Sequence, residues 1–167
     1  MLVNNKGMLG LLVVIIFPVA AAGVAQNGAP NPPKVEFTTS SDDLERRDQP
    51  VTDEDLKILE RASQILTSAT VWNRHDTREC KPQDKTWSLF CAMEKASLDV
   101  LGEYRHREVA LQEVRFAVED ATKGIEFEHR MMDYNNLEST KFQDIKKILA
   151  VATRRVRDRL TAQNSKK

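Results

Sequence analysis

Two Glu-x-x-His motifs contain the residues of this chain whose types and spacing best suit chemistry. Glu103 precedes His106, and Glu126 precedes His129. Residues three apart share one face of a helix, so each motif can present a carboxylate and an imidazole to one metal ion, as in dinuclear helical bundles. Such a site needs two further glutamates from other helices. Both motifs are also predicted to lie near helix ends, beside a glycine.

A mononuclear metal site is a second possibility. His75, Cys80, Cys91 and His106 have the right donor atoms for zinc or copper, but their spacing matches no regular zinc finger. The chain has no Gly-x-Ser-x-Gly elbow and no glycine-rich phosphate loop. The sequence therefore favours a protein that is not an enzyme and needs no cofactor, with a metal-binding protein or metal-dependent enzyme as the alternative.

Cys80 and Cys91 are the two cysteines of the chain. They are further apart than the close pairs of redox and zinc sites. In an oxidising compartment a pair of this kind is expected to form a structural disulfide. We therefore predict a bond between them, with a metal pair or two free thiols as the alternatives.

The amino-terminal 25 residues predict the compartment. Lys6 precedes an uncharged stretch from Met8 to Ala25, and Gly23 and Ala25 suit a signal-peptidase cut after residue 25. This order is typical of a secretory signal peptide, so we predict export to the periplasm or outside the cell. The alternative is an uncleaved membrane anchor, although Pro18 interrupts a run that is short for a bilayer. Only that alternative would place the protein on a membrane.

Composition and charge define the rest of the organisation. The chain has 25 basic and 25 acidic side chains, and this balance argues against a surface built to hold nucleic acid. Residues 26–50 contain four prolines and a Thr/Ser tract, and we predict a flexible linker there. Residues 51–162 are predicted to form one α-helical domain, and 163–167 a disordered tail.

Helical periodicity and few breakers predict an all-α fold, a compact bundle of four to five short helices. The predicted ranges are 52–70, 84–102, 105–122 and 125–136, followed by a last helix that begins at a capping pair, Thr140 and Gln143. The second helix is apolar over much of its circumference and is predicted to be central. No strand periodicity or repeat occurs.

Three sequence pieces between Ile58 and Val156 give the chain a family resemblance. The helix ILERASQIL ends shortly before Trp72, a polar loop leads into WSLFCAMEKAS, and Tyr134-Asn135 precedes STKFQDIKKILAVATRRV. In this order the chain resembles a family of uncharacterised bacterial and phage domains known only as a domain of unknown function. The resemblance implies a compact α-helical domain and no particular activity. The signal peptide and Cys80 depart from that family's pattern.

Two regions are candidate contact surfaces. A disulfide would pin the loop after the first helix, and this loop carries Trp72, Arg74 and His75. The last helix carries a basic face with the arginines Arg154, Arg155, Arg157 and Arg159. Such a face suits an anionic envelope component or an acidic protein, or it serves only solubility. The function predicted from the sequence is thus an exported helical domain that binds a partner or an envelope component.

Overall fold

The computed structural model describes residues 46–166, and the predicted signal peptide and most of the predicted linker lie outside this range. Five helices follow one another without a named strand in the described part. They are α1 (Asp53–Ile65), α2 (Leu89–Leu101), α3 (Val109–Ala121), α4 (Arg130–Asn136) and α5 (Phe142–Asn164). The all-α prediction is confirmed. α5 extends two residues beyond the predicted end of the domain, into the predicted tail.

The core lies where α1 packs against α2 and α5, and where α3 packs against α4 and α5. α5 contributes one stripe, with Ile145, Leu149, Ala152 and Val156 fully buried at the spacing of a helix face. α3 contributes more, because every residue from Ala110 to Val118 is buried. The prediction that the second helix is the central one was therefore wrong, since α3 has the longer buried run.

Four predicted helix starts and one helix end differ from the structure. The helix predicted over 125–136 begins only at Arg130, and at the other positions a polar group ends or caps the helix elsewhere. α1 ends at Ile65 and not near Thr70. At this end, Lys146 Nζ donates to the carbonyl groups of Ser63 and Leu66 at 3.2 and 3.3 Å. α2 begins at Leu89 because Ser88 caps it: the Ser88 hydroxyl accepts a hydrogen bond from the amide of Cys91.

α3 begins at Val109, not near Arg105, and its first turn is capped from another helix. The carboxylate of the fully buried Asp55 accepts from Ala110 N at 2.8 Å and from Thr52 N at 2.9 Å. One side chain therefore satisfies amide groups at the starts of both α1 and α3. At α5 the predicted Thr140–Gln143 pair is wrong, because Thr140 is buried before the helix and Asp144 accepts from Lys141 N instead.

Part of the segment before α1 contacts the helices. Arg47 hydrogen-bonds to both carboxylate oxygens of Asp120 at 3.1 Å, and its guanidinium lies 4.6 Å from the centroid of the Phe116 ring. The carbonyl of Gln49 accepts from the Arg159 guanidinium. The sequence predicted a flexible linker as far as residue 50, and the structure gives its last residues fixed partners on α3 and α5.

Candidate functional site

The long connection between α1 and α2 forms one wall of the candidate site. Its two ends are joined where Trp87 N donates to Val71 O at 2.7 Å and Asn73 N donates to Trp87 O at 2.9 Å. These hydrogen bonds form an isolated parallel β-bridge, which holds the two ends of the connection together. The intervening residues therefore form a loop of defined position, and not the free polar segment that composition alone suggests.

Asn135, at the carboxyl end of α4, is the buried anchor of this loop. Its side chain is fully buried, and Oδ1 accepts from Trp72 Nε1 at 2.8 Å and from Leu89 N at 3.0 Å. Its Nδ2 donates to Asn73 O at 3.0 Å. One amide side chain thereby links the loop, the start of α2 and the end of α4, which explains why an asparagine is buried here.

Asn136 makes a second connection to the same loop. Its Nδ2 donates to the carbonyl of Asp76 at 2.8 Å, and its Oδ1 accepts from Asp76 N at 2.7 Å. The Asn136 amide thus forms the same donor and acceptor pair with Asp76 that a residue of a neighbouring β-strand would form. It holds the backbone two residues before Arg78.

The disulfide holds the other side of the loop. Cys80 and Cys91 are bonded, with Cα atoms 5.3 Å apart, so the predicted pair is present. The bond joins the loop to the first turn of α2, next to Phe90. Arg78 therefore lies between two fixed points, the Asn136–Asp76 contact and the disulfide. Its backbone has a φ of 61°, in the left-handed region that side chains other than glycine rarely adopt.

A cavity opens beside this loop, and two of the predicted chemical residues line it. We name it the arginine–histidine cavity, and it has a more enclosed lobe of about 230 Å³ and a more open lobe of about 600 Å³. Five residues line both lobes: Arg78, Phe90, His106, His129 and Met132. Charged, histidine and aromatic side chains share its walls, and the volume of the open lobe lies within the range of small-molecule sites.

Arg78 and His129 meet across the cavity. The distance from Arg78 Nη1 to His129 Nε2 is 3.0 Å. Because a guanidinium only donates, Nε2 is the acceptor and a neutral His129 carries its proton on Nδ1. The backbone N of His129 is held in turn by Asp133 Oδ2 at 2.7 Å. Arg78 also lies over the Phe90 ring, 5.4 Å from its centroid, so an aromatic wall supports the cation.

His106 is held by a second set of partners. Tyr104 Oη lies 2.9 Å from Nδ1, and Arg115 Nη1 donates to the His106 carbonyl at 3.0 Å. Arg115 Nη2 is 3.4 and 3.3 Å from the two ring nitrogens, so the guanidinium lies against the imidazole ring. Arg115 is itself buried, on the core-facing helix α3. The core thus fixes a cation at the wall of the cavity.

The charges around the cavity are unevenly distributed. Arg78, Arg115 and Arg130 line the enclosed lobe, and Glu128, which is largely exposed, is the one carboxylate among the described residues that line it. Arg130 is 3.9 Å from Glu119. Arginine provides planar forks that match carboxylate and phosphate oxygens. The enclosed lobe is therefore suited to an anionic group.

The open lobe contains Glu94 and Tyr104. Burial raises the pKa of the Glu94 carboxyl, and the nearby Asp76 carboxylate raises it further. Burial also raises the pKa of the Tyr104 hydroxyl, against the opposing effect of the Arg115 charge. Titratable groups with shifted pKa values in a cavity mark a candidate site on physical grounds.

The structure brings together the histidines of the two Glu-x-x-His motifs but not their glutamates. Glu103 is exposed and bound to Arg105, whereas Glu126 lies at a separate surface depression. His75 is exposed, and both cysteines are in the disulfide. Among residues 46–166 no group of three or more histidine, cysteine or acidic side chains has the geometry to hold a metal ion.

The two predicted contact surfaces are largely used within the domain. Trp72 is half-buried against Asn135, and Arg74 donates to the carbonyl groups of Leu137 and Glu138, which positions the turn before α5. On α5, the basic side chains pair with carboxylates from other segments. These pairs are Arg155–Asp120, Arg157–Glu60 and Arg159–Glu113. Of the residues predicted for these surfaces, His75, Arg154 and Arg157 are exposed, and Arg157 pairs with Glu60 all the same.

Sequence reasoning missed Arg78, Arg115 and Asn135. No periodic pattern places the loop residue Arg78 beside a helix that follows later in the chain. Arg115 carried one usable signal, since it lies between Val114 and Phe116 within an apolar helical run. Asn135 was interpreted as a helix end, and its buried role depends on contacts between residues more than 60 positions apart.

No family model, curated protein or solved structure matches this chain. The resemblance to a helical family of unknown function therefore stays a prediction. No helix between residues 46 and 166 has the length and hydropathy needed to cross a membrane.

Proposed function

We propose that this chain is an exported helical binding module that takes an anionic ligand in the arginine–histidine cavity and performs no chemistry on it. The observation that carries the proposal is the enclosed lobe, where Arg78, Arg115 and two histidines converge. The ligand is a small envelope component or an anionic group on a larger partner.

The supporting argument for anion binding is electrostatic. Within the part of the chain that the structure describes, Arg78 forms no ion pair with a carboxylate, and its guanidinium faces His129 and Phe90 instead. An oxyanion placed beside Arg78 would gain charge-assisted hydrogen bonds from this guanidinium, which no carboxylate of residues 46–166 occupies. Phe90, Phe127 and Met132 offer apolar surface for the rest of the ligand.

The choice of binding over catalysis is supported by the residues that line the cavity. Neither lobe is lined by a serine or a free cysteine among the described residues. A serine hydroxyl or a thiol beside a base is one common arrangement for nucleophilic catalysis, and the aliphatic hydroxyl that lines the open lobe is that of Thr77. Arg78 lies beside the imidazole of His129 and Arg115 beside that of His106. Both imidazoles are therefore placed where an anionic ligand would be bound.

Calorimetric titration of the oxidised full chain with inorganic phosphate at low ionic strength tests the proposal. Arg78→Gln should weaken phosphate binding about tenfold or more, because a hydrogen bond to a charged group contributes about 1.5–3 kcal/mol. Arg107→Gln is the matched control, since Arg107 is exposed and does not line the cavity. This control should leave the affinity within about twofold of the parent.

Two outcomes would contradict the proposal. A folded parent protein that binds no phosphate lacks the anion site, and equal losses in Arg78→Gln and Arg107→Gln would indicate unspecific charge attraction. Metal analysis of the same sample covers the alternative. Stoichiometric metal that is lost in His106→Ala and His129→Ala would favour the metal-binding protein.

The exported location is part of the proposal. The disulfide is compatible with an oxidising compartment, and the sequence of the first 25 residues suits a signal peptide. Mass spectrometry of the protein recovered from its own cells tests this. A mature chain that begins near Gln26 is expected, and an intact amino terminus in the cytosolic fraction would refute export.

A further inference from the structure

The two lobes of the arginine–histidine cavity differ in the charge that they offer. Arg115 and Arg130 line the enclosed lobe but not the open one, whereas Glu94 and Tyr104 line the open lobe but not the enclosed one. Arg78 and the two histidines stand between them. A ligand that reaches across both lobes therefore meets cationic groups at one end and a carboxylate at the other.

Glu94 is an unusual carboxylate for this protein. Most carboxylates beside it in the sequence or the fold have a cationic or amide partner: Asp99 binds Arg61 and Lys95, and Asp76 Oδ1 accepts from Arg78 N. Glu94 is half-buried, yet within residues 46–166 it forms no hydrogen bond or ion pair. A half-buried carboxylate without a partner loses hydration without gaining an interaction.

The cation that Glu94 lacks is not supplied by its sequence neighbour. Lys95 is bound to Asp99 on the exposed side of α2. Burial and the Asp76 charge both raise the pKa of Glu94, so both disfavour its ionised form. A cationic group arriving from the cavity would reverse this effect and stabilise the carboxylate.

Aromatic rings complete the surroundings of Glu94 in the open lobe. Phe90 and Tyr104 meet edge to face, with centroids 6.1 Å apart. The face of Phe90 already accepts a cation, because the Arg78 guanidinium lies over it. Aromatic faces next to a carboxylate form the kind of surface that receives an organic ammonium group.

We infer that the ligand of this cavity is zwitterionic, with an anionic group in the enclosed lobe and an ammonium group beside Glu94 and the Phe90 and Tyr104 rings. This inference rests on the proposed function, since it needs the anion site. It adds the second charge of the ligand and the residue that recognises it.

Matched probes separate the two claims. Unbranched alkyl phosphates of graded length carry only the anion, and ω-aminoalkyl phosphates of the same lengths add a terminal ammonium. Calorimetric titration of the oxidised full chain gives the affinity ratio of each pair. At the length that spans the lobes, the amino compound should bind about fivefold more tightly than its alkyl partner, given the contribution of a partly exposed ion pair.

Glu94→Gln assigns the effect to one residue. This variant should reduce the ratio to about one without weakening the binding of the plain alkyl phosphate, because it removes a carboxylate and no cationic group from the cavity. Glu79→Gln, at an exposed position of the loop that lines neither lobe, is the matched control and should keep the ratio.

Each result decides between the claims. Equal affinities for both members of every pair would overturn the zwitterion and leave the anion site standing. A ratio that survives in Glu94→Gln would also overturn the inference, because the ammonium is then bound elsewhere. If neither series binds to the folded parent, the proposed function itself fails, and the inference fails with it.

Discussion

The arginine–histidine cavity and the arginine face of α5 have similar charge in sequence and opposite roles in the structure. On α5, Arg155, Arg157 and Arg159 each bind a carboxylate from another segment. In the cavity, Arg78 instead contacts the His129 ring and the face of Phe90, with no carboxylate partner among residues 46–166. The α5 arginines therefore join segments within the domain, whereas Arg78 is directed at a space that a ligand can enter.

The two regions also differ in the contacts that hold them in place. The loop beside the cavity is fixed by neutral and covalent contacts, namely the Asn135 and Asn136 amides and the disulfide. The α5 face is fixed by ion pairs, most of them partly exposed. Salt screens exposed ion pairs and leaves buried neutral hydrogen bonds almost unchanged. The position of the cavity loop should therefore depend less on salt and pH than that of the α5 face.

The largest expected effect comes from Asn135→Ala, which removes the anchor on the cavity side. The indole N–H of Trp72, the amide of Leu89 and the carbonyl of Asn73 would lose their partner. We expect the free energy of unfolding to fall by about 4 kcal/mol, because unsatisfied buried groups cost about 1–3 kcal/mol each. Urea denaturation measures it.

Asn164→Ala, at the exposed end of α5, is the control and should change stability by less than about 0.5 kcal/mol. Similar small losses in both variants would show that the loop is not held through Asn135.

Loss of the disulfide in Cys80→Ser/Cys91→Ser should have the next largest effect. Closing a loop with a sequence separation of 11 residues contributes roughly 3 kcal/mol by the chain-entropy estimate. The helical circular dichroism should persist, while phosphate affinity falls because Arg78 loses one of its two fixed points. Thermal melts and phosphate titration of the same sample measure both. Unchanged affinity in the destabilised variant would show that the disulfide does not position Arg78.

The smallest effect is expected on the α5 side, from Asp120→Asn. Hydrogen bonds from Arg47 and then Arg155 lower the pKa of Asp120 below its ordinary value of 3.8. The charged form thus stabilises the fold above about pH 4, and this contribution disappears as pH falls through the lowered folded-state value. At pH 7 and low salt the variant should lose less than about 1 kcal/mol, since the carboxylate is partly exposed.

Urea denaturation at pH 7 and near pH 3, with and without added salt, checks this. The difference between Asp120→Asn and the parent should shrink in acid and in salt. Asp158→Asn, an exposed site on α5, is the matched control. A difference that stays constant at both pH values would contradict the ion-pair explanation of the α5 face.

The sequence predicted what depends on local patterns. The buried stripe of α5, the glycine that ends α2 at Gly102 and the cysteine pair all follow from spacing or residue type. Helix starts were less predictable where a residue distant in the sequence caps the helix. Asp55 caps α3 from α1, so no signal near Val109 marks that start.

The candidate site was predicted only in part. The Glu-x-x-His motifs drew attention to His106 and His129, and the structure places both in one cavity. The helical face expected to unite each glutamate with its histidine is absent, because Glu103 and His106 lie in a turn before α3 and His129 precedes α4. Arg78 joins the site only through the pairing of distant segments, which periodicity does not reveal.

The most direct test of the central claim uses the three histidines of the chain as reporters. Their ring signals are followed by NMR while the oxidised full chain is titrated with inorganic phosphate at constant pH. His106 and His129 line the cavity, whereas His75 lies outside both lobes and is exposed. We predict that the signals of His106 and His129 shift together along one saturating curve and that the His75 signal stays in place. Three signals that drift alike without saturation, or none that moves, would contradict an anion site in the arginine–histidine cavity.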